Sequence, residues 1–158
     1  MALKPDREYN EVTDITNFWT TAAAEKGGCA GVVTQGTGAA IGTNLADEAN
    51  VVGYVADPSG VIAKGILLQT VTAAMSATRD FPNFENGEIR PSDKCTLVKK
   101  GFVVTDMIAG TTPTVGGTAY LAASGFISLD QATGAPAIGR FETTVDSAGF
   151  ARVSIDIT

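Results

Sequence analysis

The chain has 158 residues, 44% hydrophobic and 18% charged, which is enough apolar content for one buried core and excludes a disordered chain. Its net charge of −6, from 11 Lys+Arg against 17 Asp+Glu, excludes the basic footprint with which proteins release counterions from nucleic acid. Histidine is absent, which removes the commonest general base, metal ligand and partner of a nucleophilic Ser or Cys, so neither an enzyme nor a cofactor is expected.

Residues 1–12 mix charges with Pro5 and Tyr9 without any period and read as an extended arm. Met1 to Glu8 carries no apolar stretch of the secretory type, and no run of about 18 apolar residues occurs anywhere, so no membrane partner is expected. Thr13 or Asp14 can cap a short helix in which Ile15, Phe18, Trp19 and Ala22 share one face. Ala22 to Ala24 favour that helix, and Gly27-Gly28 stops it. The same residues can instead lie extended on a partner. Residues 1–28 therefore read as an N-terminal arm or helix, and residues 29–158 as an antiparallel β domain.

From Cys29 the pattern turns to β. Cys29 to Thr34 reads as a strand, followed by a glycine-rich turn from Gly36 to Gly42. Val51 to Ala56 and Val61 to Val71 flank Asp57-Pro58-Ser59-Gly60, a type I turn signature, and predict a hairpin. Residues 79–93 form a polar loop with two prolines. Two strands are expected on either side of a solvated Lys99-Lys100-Gly101 turn. Thr118 to Ala122 pairs with Phe126 to Leu129 across Ser124-Gly125, and Ala137 to Val145 pairs with Phe150 to Ile157 across Asp146 to Gly149. The last half of the final strand alternates apolar and polar residues, as a strand with one wet face does. Short strands without alternating helices define a mainly β fold, a small antiparallel barrel or sandwich.

Two constellations suggest chemistry and have simpler explanations. Gly36-Thr37-Gly38-Ala39-Ala40-Ile41-Gly42, with Asp57 downstream, has the outline of a dinucleotide fingerprint, but no crossover helix follows it and Asp57 already opens a turn. Asp80, Glu85, Glu88 and Asp93 cluster in one loop together with Arg79, Arg90 and Lys94, which reads as a solvated surface of mixed charge. Cys29 and Cys95 belong to no CxxC motif, and buried thiols are favoured over a disulfide between them.

Lys94 to Thr105, with its apolar run and Lys-Lys-Gly, leads through a Gly/Thr/Pro loop to Tyr120-Leu121-Ala122-Ala123-Ser124-Gly125-Phe126 and on to Leu129. In order and spacing this stretch resembles the C-terminal part of small decoration (cement) proteins of tailed-bacteriophage capsids. The resemblance covers roughly the second half of the chain. It implies a structural virion protein made in the host cytoplasm, a homotrimer, that attaches to the outside of an expanded head and braces the major capsid protein. Tyr9, Val12, Ile15, Phe18 and Trp19 concentrate aromatic and apolar area ahead of the β body, the composition of a partner-binding arm. The same segment can also pack as a lid on its own body, while Gly27-Gly28 would let an arm reorient. The other function class is a carbohydrate-binding or depolymerase module, for which Phe81, Phe84, Glu85 and Glu88 are the candidates.

Overall fold

The computed structural model describes the backbone of residues 3–4 and residues 11–34, 50–72 and 87–158. The described chain is mainly β. Its strands in order are β1 (Leu3–Lys4), β2 (Val12–Asp14), β3 (Phe18–Trp19), β4 (Cys29–Thr34), β5 (Val51–Gly53), β6 (Ala63–Leu67) and β7 (Thr70–Val71). They continue with β8 (Glu88–Ile89), β9 (Leu97–Thr105), β10 (Ile108–Ala109), β11 (Thr118–Leu121), β12 (Ile127–Ser128), β13 (Ala137–Phe141) and β14 (Ala151–Asp156). One large sheet runs β10-β12-β11-β13-β14-β9-β6-β4-β5-β3 without closing into a barrel, and β1 and β2 also pair with β9. Most pairs are antiparallel; β3 with β5, β7 with β8 and β10 with β12 are short parallel pairs.

Strand β9 organises this arrangement. Val98 pairs with β2 and β6, and Lys100 pairs with β2 and β14. A strand has two edges, so β6 and β14 lie end to end along one edge of β9 while β2 occupies the other. Val98 and Val103 face the same core although they are five residues apart in number, which strict alternation forbids. A β-bulge resolves this: the pairing shifts between Val12↔Lys100 and Thr13↔Val98, leaving Lys99 as the extra residue. The strand bends there and feeds two halves of the sheet. The expected pair of strands around a Lys99-Lys100-Gly101 turn is therefore one bulged strand. The glycine and adjacent lysines that look like a hairpin turn in sequence serve a bulge instead.

The halves fold over one another around a main core. Cys29, Ile66 and Val98 from one half pack with Leu121, Ile127, Ile138, Phe141, Val153 and Ile155 from the other. The β4-β6-β9 sheet is buried on its second face as well. Ala30, Leu67 and Leu97, each next in sequence to a main-core residue, pack there with Trp19, Val52, Val71, Ile89 and Cys95. Period-2 alternation thus divides Cys29 from Ala30, Ile66 from Leu67 and Val98 from Leu97 between two cores.

The helix expected over the N-terminal segment does not form. Residues 12–20 are largely β-branched or aromatic, which lose χ1 freedom in a helix and suit a pleated surface. Asp14 adds a competing local bond: its Oδ1 accepts from the Thr16 N–H at 2.8 Å and from the Thr16 hydroxyl at 2.6 Å. The segment is extended and belongs to the sheet through β2 and β3.

The hairpin expected across Asp57 to Gly60 is also revised. β5 and β6 do not pair with each other; β4 lies between them and pairs with both. The turn itself sits one residue later, with the Val61 N–H donating to the Pro58 carbonyl at 3.3 Å and Gly60 at φ +67°. Asp57 Oδ1 accepts from the Ser59 N–H at 2.9 Å, the local turn bond its sequence suggests. The two C-terminal hairpins form as expected. β11 pairs with β12 across a 3-10 turn at Ala123–Gly125, with Ser124 at φ +58° and Gly125 at φ +78°. β13 pairs with β14 across a turn in which Asp146 Oδ1 accepts from the Ala148 and Phe150 N–H groups.

Candidate functional site

The N-terminal segment named as the partner-binding candidate divides into an inward and an outward part. Trp19 is inward: it is 1% exposed, its Nε1–H donates to the Ala22 carbonyl at 2.9 Å, and its ring meets Tyr54 edge-to-face at 5.1 Å and 89°. It is a core residue rather than a surface anchor. Tyr54 carries the arrangement further. Its hydroxyl accepts from the Gly28 N–H at 3.0 Å and donates to the Glu25 carbonyl, and burial raises its pKa above the usual tyrosine value.

This ring explains the glycines around it. A Cβ on Gly28 would stand 2.7 Å from Tyr54 Cζ, and one on Gly125 would stand 2.3 Å from Tyr54 Cδ1. The Ser124 N–H donates to the Val55 carbonyl at 2.7 Å, joining the same place to the β11–β12 turn. Gly27 adds an N–H to the Leu67 carbonyl at 2.8 Å. The Gly27-Gly28 pair is therefore a fixed junction and not a hinge, because Gly27 is tied to Leu67 and the missing side chain of Gly28 is what lets Tyr54 approach.

The outward part is Val12, 50% exposed, and Ile15, 61% exposed, with Phe18 half-buried between the two parts. Phe18 donates its N–H to the Asn50 carbonyl at 3.1 Å, and the Lys94 ammonium lies 5.8 Å from its ring centroid. Tyr9 lies outside the described residues. Asp14 stands between Val12 and Ile15. Burial raises its pKa, but the bonds from Thr16, with smaller help from Asn17 and the charge of Lys99, outweigh this and hold the carboxyl below its usual value.

Val12 continues onto the wet face of the β9–β14 part of the same sheet. In register it stands beside Lys100, and Lys100 stands beside Asp156, with an exposed ion pair of 3.6 Å. Two residues along, Ser154 pairs with Phe102, and the Arg152 guanidinium lies 4.4 Å from the Phe102 ring centroid. The Arg152, Ser154, Asp156 row follows from the alternation of the last strand. The placing of Phe102 and Lys100 beside it, and of Val12 beyond, depends on pairing between distant segments that sequence spacing does not reveal.

The other sequence candidates resolve simply. Cys29 faces the main core and Cys95 the second core; both are free thiols pushed up to about 12 by burial. Cys95 also donates its thiol to the Asn17 carbonyl at 3.4 Å. Asp93 accepts from the Arg90 N–H at 3.3 Å within its own turn, and Glu88 lies on β8. Asp80, Glu85, Phe81, Phe84 and the Gly36 to Gly42 run lie outside the described residues. Among the described residues no three acidic or thiol groups gather as a metal site, and no helix is long and apolar enough to cross a membrane. What this surface offers is contact: exposed aliphatic groups, an arginine stacked on an aromatic ring, and backbone at sheet edges. Comparison with protein-family models and with curated proteins finds no match to this chain.

Proposed function

We propose that the protein is a structural binding module of a phage particle, a decoration (cement) protein that attaches to the outside of the head and stabilises contacts between major capsid protein subunits. The reading rests on the resemblance carried by Lys94 to Leu129, together with a physical argument about what this chain offers a partner. A chain without histidine, whose described thiols are buried and inert, is suited to contact rather than to bond-making. The outward face around Val12, Lys100, Phe102 and Arg152 combines aliphatic, aromatic and arginine groups, of the kinds found at interfaces. Many copies, each adding a modest interface, would brace a shell through multivalency. A homotrimer, as the resemblance implies, would present three such faces at once. Heating capsids that lack the protein, with and without added pure protein, tests this directly. The proposal expects added protein to raise the temperature at which the shells release DNA; an unchanged release temperature at saturating protein would reject it.

A further inference from the structure

We draw no further inference here: the strongest candidate, the outward sheet face of β13, β14 and β9 on which Arg140 joins Ser154, Arg152 and Phe102, extends the surface already described, and nothing in the structure shows what covers it.

Discussion

Replacing Trp19 with alanine separates a core role from an anchoring role at this position. The indole is fully buried, and truncating a buried aromatic costs roughly 3–5 kcal/mol from lost transfer energy and the cavity left behind. The edge-to-face partnership with Tyr54 adds about 1 kcal/mol beyond area burial. Against a typical stability of about 5–15 kcal/mol this is a large fraction, and in a domain of this length it lowers Tm by roughly 8–24 °C. Trp19→Phe keeps most of the ring volume and loses the Nε1–H bond to Ala22, so about 1–2 kcal/mol is expected there. Because Trp19 is the sole tryptophan, fluorescence disappears with it, and urea unfolding followed by far-ultraviolet circular dichroism is the appropriate assay. A Trp19→Ala protein that melts with the wild type yet binds its partner more weakly would refute the reasoning and return Trp19 to the surface.

Gly60→Ala should cost about 1 kcal/mol through left-handed strain alone, since nothing crowds its Cβ, and Gly60→Val should cost more because a branched side chain is strained further there; equal melting of all three proteins would show that the turn relaxes. Gly28→Ala should destabilise more than Gly60→Ala, because the added methyl meets Tyr54, and pairing it with Tyr54→Ala should recover part of the loss in a double-mutant cycle of urea midpoints; strict additivity would contradict the contact. Cys29 and Cys95 should resist a thiol reagent in the folded state at pH 8 and react on unfolding; fast native labelling of either would contradict the burial. The raised Cys29 pKa makes its contribution to stability complete below the unfolded value of 9.0 and lost as pH rises towards about 12. Urea stability should accordingly fall about 1.4 kcal/mol per pH unit more steeply in wild type than in Cys29→Ala across that window; parallel curves would reject the assignment.

Much of the fold was legible because turn chemistry is local. Asp146 to Gly149 and Ser124-Gly125 specify hairpins from their own residues, and β4 occupies the span from Cys29 to Thr34 that its composition suggests. Strand order is not local. Val51 to Gly53 and Ala63 to Leu67 flank a good turn, yet β4 enters between them, an event decided by burial of Ala30 and Cys29 on opposite faces. The helical spacing of Ile15, Phe18, Trp19 and Ala22 is real, but β-branched composition and the Asp14 bonds outweigh it. Lys99-Lys100-Gly101 misled in a similar way, because a bulge and a turn draw on the same residues. As to the candidate surface, Val12 and Ile15 stand outward as their segment suggested, whereas Trp19 was consumed by the second core. Its neighbours Lys100, Phe102 and Arg152 arrive from segments some 90 to 140 residues away in sequence, which no spacing argument reaches.

The most direct measurement of the central claim is cosedimentation of the purified full chain with capsids that lack it, quantified as copies bound per major capsid subunit. A structural binding module of the shell should saturate at one fixed ratio and leave the capsids with that ratio intact after washing. Protein that remains in the supernatant at every concentration, or that binds without saturating, would contradict the account.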